Sequence, residues 1–143
     1  MARKPGGRTP GRLTAGALVL DSQGLALAAS DDLKVAGFLK SAVARDIRVV
    51  TSALTLIEAV NPKQSKARWD YLISRIQVEE VTLELTLHAM GLLRAAGLHG
   101  HKYAIDAVVA ATAMACAGPV TMLTSDVDDM AKLCDPRVLL VQV

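Results

Sequence analysis

Two kinds of apolar patterning alternate along the chain. Short continuous apolar runs read as strands buried on both faces: "GALVL" (16–20), "IRVVTS" (47–52), "VTMLTSD" (120–126) and "RVLLVQV" (137–143). "VEEVTL" (78–83) adds a shorter strand between the second and third of these. The segments between them repeat their apolar residues at helical spacing. Residues 22–30 predict a short helix. Residues 31–46 start on an Asp cap and bring Leu33, Val35, Phe38, Leu39, Ala42 and Val43 onto one stripe. Residues 52–62 predict a helix capped by Thr51 or Ser52 and stopped by Pro62. A more polar helix over 64–77 carries Trp69, Leu72, Ile73 and Ile76, and the next, over 83–97, stops at Gly97. "YAIDAVVAATAMACAG" (103–118) predicts a long buried helix and "VDDMAKLC" a short one. Strands that alternate with helices predict an α/β domain: a three-layer α/β/α sandwich around a mostly parallel sheet.

Composition narrows the picture. Of 143 residues 52% are hydrophobic, enough for one sizeable core, but only one Trp, two Tyr and one Phe are present. An aromatic-poor, Ala-rich core suits helices packed closely on a sheet and does not suit a surface that stacks bases. The net charge of +2 is unevenly spread. Residues 1–12 hold Arg3, Lys4, Arg8 and Arg12 and no acid, so the remainder is mildly acidic. The Gly- and Pro-containing start makes residues 1–13 a flexible basic leader, either an arm for phosphates or plain disordered chain, with the folded domain over 14–143. Cys116 and Cys134 form no CxxC pattern and read as reduced thiols, which fits the cytoplasm. No apolar run is long enough for a signal peptide or a membrane span.

The chemistry lies in four acids set among apolar residues. Asp21 follows "ALVL", Glu58 sits in "LTLIEAV", Asp106 lies on the first turn of the 103–118 helix, and Asp126 follows "TMLTS". An unpaired buried carboxylate is costly. Taken singly, Asp21 and Asp126 are ordinary helix caps, Asp106 a helix-start acid, and Glu58 a partner for Lys63 or Arg68. Taken together, all four reach the C-terminal edge of the sheet, where open α/β sheets bind ligands. Carboxylates gathered there repel unless a hard divalent cation, Mg²⁺ or Mn²⁺, holds them. That combination hydrolyses phosphodiesters.

The pieces "LVLDSQGLALAA", "TSALTLIEAV", "YAIDAVVAATA" and "VTMLTSDVDDMAKL", in that order over residues 16–143, resemble the PIN-domain ribonucleases, and most closely the VapC-type toxins of type II toxin–antitoxin pairs. The resemblance implies a PIN-like fold and a Mg²⁺- or Mn²⁺-dependent endoribonuclease that cuts tRNA, rRNA or mRNA. It implies an antitoxin that silences the site by lying in an apolar groove between helices of the 31–45 and 53–77 segments with an Arg reaching the acids, and a homodimer. It assigns catalysis to Asp21, Glu58, Asp106 and Asp126. Asp21, Asp106 and Asp126 hold the metal, and Glu58 is a further ligand or the group that orients the attacking water. Asp129 is an accessory acid of the "TSD" turn, with Thr124 or Ser125 its small hydroxyl residue. Ser22 and Ser52 are helix caps or donors to the acids. "HGHKY" departs from the pattern: Lys102, His101 and His99 form either a rim for the RNA backbone or an exposed loop, and Lys63, Lys66, Arg68 and Arg75 form a second rim or a solvated face.

Other classes fit less well. A phosphate-switched receiver domain wants an acid pair after the first strand and a Lys after the last, and a dinucleotide fold wants a Gly-rich turn where "DSQGLAL" stands. The alternative that remains is a catalytically silent PIN fold that binds nucleic acid or a partner.

Overall fold

A computed structural model describes residues 16–143, so the basic leader of residues 1–13 lies outside the described residues. The elements run β1 (Ala17–Leu20), α1 (Ser22–Ala29), α2 (Leu33–Ala44), β2 (Arg48–Ser52), α3 (Ala53–Ala59), α4 (Lys66–Ser74), β3 (Gln77–Glu79), α5 (Leu83–Ala96), α6 (Gly100–Ala115), β4 (Val120–Thr124), α7 (Val127–Leu133) and β5 (Val138–Gln142). The sheet has the order β3-β2-β1-β4-β5, and every pairing is parallel. The architecture is the three-layer α/β/α sandwich expected from the sequence.

Strand alternation builds the layers. Ala17 and Val19, with Val50, Val120, Met122 and Val138, face α5, α6 and α7 in one core. Leu18, Leu20 and Leu123 face α1 to α4 in the other. The middle strands β1 and β4 are therefore apolar on both faces, which is why they read as unbroken runs. Small residues let α6 lie close on the sheet: Ala107, Ala110, Ala111 and Ala113 are fully buried. Gly16 shows the same need for closeness. It sits at φ +89° with its backbone against Pro119, where a Cβ would stand 2.1 Å from the Pro119 carbonyl oxygen.

Helix ends follow local rules. Asp32, Ser65 and Thr82 each accept a hydrogen bond from a first-turn N–H of their helix, and Gly97 ends α5 in the left-handed region at φ 68°. Several predicted bounds need correction. The strand predicted over 78–83 is the three-residue β3, Gln77–Glu79, and the helix predicted over 64–77 is α4, Lys66–Ser74. Helix α3 ends at Ala59, before Pro62, because Val60 is already extended. Helix α6 starts at Gly100 and ends at Ala115, three residues earlier at each end than predicted from 103–118. Its C-terminus is closed by Arg137, whose guanidinium donates to the carbonyls of Met114 (2.8 Å), Cys116 (3.2 Å) and Gly118 (2.9 Å). Cys116 and Cys134 are free and half-buried, and burial pushes the Cys134 thiol up to about 11. Among the described residues no helix is long and apolar enough to cross a membrane.

Candidate active site

The strand order reverses at β1. The chain leaves β1 for β2 and β3 on one side, then returns to β4 on the other. In such sheets ligands bind outside the carboxyl ends of the strands at this switch point. Asp21 follows β1 there, and Asp126 follows its neighbour β4.

Asp21 is buried, with 5% of its surface exposed. One carboxylate oxygen accepts from the Gly24 N–H at 2.8 Å and so caps α1. The other accepts from the Ser125 N–H at 3.3 Å, across to the turn after β4. Burial raises the pKa of Asp21, against hydrogen bonds from Gly24, Thr124, Ser125 and Gln23 that lower it. The cap reading and the site reading are thus both served by one side chain. Ser22 does not cap α1, because Asp21 does, whereas Ser52 caps α3 by accepting from Leu54 N–H at 3.2 Å.

Asp106 needs a correction of place. It lies in the second turn of α6, not the first. Helical dihedrals break at Tyr103 (φ −113°, ψ 15°), so Asp106 opens the regular stretch that follows. The carboxyl group is pushed up to about 6, first by burial and then by the charges of Asp126, Glu58, Asp21 and Asp129, in that order. Asp106 therefore feels the charge of each of the other four acids named from the sequence. Glu58 stands at the exposed end of α3. Asp126 precedes α7, is exposed, and donates its N–H to the Thr124 hydroxyl at 3.0 Å. Its pKa is raised mainly by a hydrogen bond shared with Asp129, then by burial and the Asp129 charge. Asp129 is also within 3.6 Å of Lys132.

The rim residues are less closely engaged. His101 and Lys102 are exposed at the start of α6, and the Lys102 ammonium lies 5.1 Å from the centre of the Tyr103 ring. His99 occupies the cap position of α6 without a side-chain hydrogen bond to it. Of the second group, Arg68 pairs with Asp31 and Lys66 with Asp70, a solvated helix face. Sequence reasoning did not single out Gln142, whose amide reaches the Ser125 carbonyl at 2.8 Å, nor Thr55, whose buried hydroxyl has no hydrogen-bond partner among the described residues. A polar residue closing the apolar run "VLLVQV" was the available signal for the first.

The fit to a metal has two sides. Among the described residues no three His, Cys, Asp or Glu side chains form a ready-made ligand set. The donors themselves are all carboxylates, and their mutual repulsion at Asp106 is what a hard cation relieves. Mg²⁺ keeps several waters and binds through one or two carboxylates, so it does not demand a closed protein cage. The donor chemistry is that of a hydrated hard cation.

No known family model matches the chain, and no curated protein matches it in sequence. Solved structures do match. The chain is similar to one from VapBC2 of Rickettsia felis, in a crystal structure bound to a DNA fragment from their promoter, with a TM-score of 0.64. The fold is shared. The match covers 89% of this chain and 98% of that one at 16% identity, so the likeness is one of architecture and agrees with the PIN-like fold expected above. Its reach along both chains makes it a whole-domain likeness.

Proposed function

We propose that this chain is a Mg²⁺- or Mn²⁺-dependent endoribonuclease and the toxin of a toxin–antitoxin pair. One observation carries the reading: Asp106, from a helix, feels the charges of acids from three other segments, at the end of the sheet where a ligand is expected. The fold likeness to a VapBC2 chain supports the same reading.

Each residue has a task in it. Asp21, fixed by two backbone N–H groups and shut away from water, is the rigid anchor. Asp106 and Asp126 complete the binding of the cation, and Asp129 orients Asp126. Bound there, the cation supplies positive charge against the scissile phosphate and acidifies water. Glu58, free at the rim, orients or deprotonates the attacking water. Lys102 and His101 meet the RNA backbone as it crosses the start of α6. The antitoxin lies elsewhere, in a groove of about 990 Å³ between α2 and α4, whose walls include Leu39, Val43, Tyr71 and Leu72 and whose rim carries Lys40 and Arg75. An apolar trough with a basic rim suits an amphipathic segment with acidic residues.

The test is cleavage of a labelled RNA with and without Mn²⁺ by the wild type and by Asp21→Asn. Cutting by the wild type alone, and only with metal, is expected. Binding of RNA by both proteins with no cutting under any divalent ion overturns the reading. That outcome favours a silent binding module, to which the lack of a ready-made ligand set among the described residues lends weight.

A further inference from the structure

The turn between β4 and α7 has its two backbone hydrogen-bonding faces divided. Inward, the Ser125 N–H meets Asp21 at 3.3 Å and the Asp126 N–H meets the Thr124 hydroxyl at 3.0 Å. Outward, the Ser125 carbonyl accepts from the Gln142 side-chain amide at 2.8 Å, and the Thr124 carbonyl accepts from the Val143 N–H at 3.0 Å. Gln142 pairs with Thr124 in the β4–β5 register, so its side chain starts one residue from the carbonyl it holds. Its own carbonyl accepts from the Lys34 ammonium of α2 at 2.5 Å, which ties the end of β5 to a helix on the other side of the turn. A peptide unit held at its oxygen has its N–H direction set as well, because the unit is planar. The plane that Gln142 grips at the Ser125 carbonyl is the one that carries the Asp126 N–H, and the grip also fixes ψ of Ser125.

We propose that Gln142 is a positioning residue of the acid cluster: by holding the Ser125 carbonyl it keeps the Ser125–Asp126 peptide plane in the orientation that turns the Asp126 N–H to the Thr124 hydroxyl, and so sets where Asp126 stands after β4. Lys34 is its brace. This deepens the nuclease reading and rests on it for the catalytic consequence, but the turn itself can be measured without metal or RNA. Gln142 is exposed and adds one hydrogen bond, so its loss costs little global stability.

The experiment compares wild type, Gln142→Ala, Gln142→Lys and Lys34→Met. Amide hydrogen exchange at Asp126 is read in metal-free protein, Mn²⁺ affinity by titration calorimetry, and RNA cleavage as kcat and KM. In Gln142→Ala, Asp126 exchange rises about tenfold, Mn²⁺ affinity falls about tenfold, and kcat falls while KM holds. The melting temperature stays near that of the wild type. Gln142→Lys, which restores a donor to the carbonyl, recovers all three readouts, and Lys34→Met shows a weaker form of the alanine effect. Wild-type exchange in Gln142→Ala overturns the proposal. So does raised exchange with unchanged Mn²⁺ affinity, since Gln142 would then brace a loop and no more. If the wild type neither binds Mn²⁺ nor cuts RNA, the nuclease reading falls and Asp126 exchange alone decides whether Gln142 sets the turn.

Discussion

A single carboxyl group shows the conflict between folding and function. Asp106 ordinarily titrates at 3.8 and here at about 6, because burial and four neighbouring acids oppose its charge. The folded protein therefore binds this proton more tightly than the unfolded chain does. Its contribution to stability is full below pH 3.8 and is lost as pH rises through about 6. The metal-free protein is expected to melt higher at pH 5 than at pH 7.5. Asp106→Asn removes the repulsion and flattens that dependence. The group is only half-buried, so solvent screening limits the gain at pH 7.5 to about 1 kcal/mol. Thermal unfolding of both proteins across this pH range checks it, and a mutant less stable than the wild type at pH 7.5 contradicts it. Raised stability together with lost cleavage is the expected mark of a functional acid.

Among the elements, α6 matters most to the site because it carries Asp106. Its C-terminus hangs on Arg137, which donates to the carbonyls of Met114 in the last turn, Cys116 at the cap and Gly118 beyond it. Arg137→Ala is expected to lower stability by about 1–2 kcal/mol, since charged donors to helix-end carbonyls are worth that much. The urea midpoint should drop with an unchanged slope. Asp106 lies near the other end, so metal affinity should hold. Helix α1 is different: its cap is the site acid itself. Asp21→Asn keeps an oxygen for the Gly24 N–H and so keeps the helix, which makes it the cleaner loss-of-function variant than Asp21→Ala.

For the whole molecule the sandwich and the site are coupled through the middle strands. Met122 of β4 is fully buried, and β4 ends in the turn that bears Asp126. Met122→Ala is expected to cost roughly 2–5 kcal/mol as a core cavity. A cation that binds only the folded state has the opposite effect. Mn²⁺ at a hundred times its dissociation constant should add about 2.7 kcal/mol. That gain should vanish in Asp21→Asn, and a melting curve of the wild type that ignores Mn²⁺ would count against the metal centre.

The sequence by itself determined the alternation of strands and helices, because each strand's apolar run and each helix's stripe are local consequences of which faces are buried. It also marked Asp21, Glu58, Asp106 and Asp126, since an acid inside an apolar segment is conspicuous without any coordinates, whereas Asp129 entered only through the family resemblance. Bounds were legible where a cap or a left-handed glycine set them, as at Gly97, and were missed at α6, whose polar start "GHKY" and Arg137-closed end carry no local signal. Only the tertiary structure decided that the sheet is wholly parallel with its switch point between β1 and β4, and that Asp106 feels the charges of the other four acids. It alone showed that Gln142 reaches the turn and that Lys34 reaches the end of β5. Those contacts join residues up to 108 positions apart, and no pattern along a chain records which distant side chains a fold will bring together.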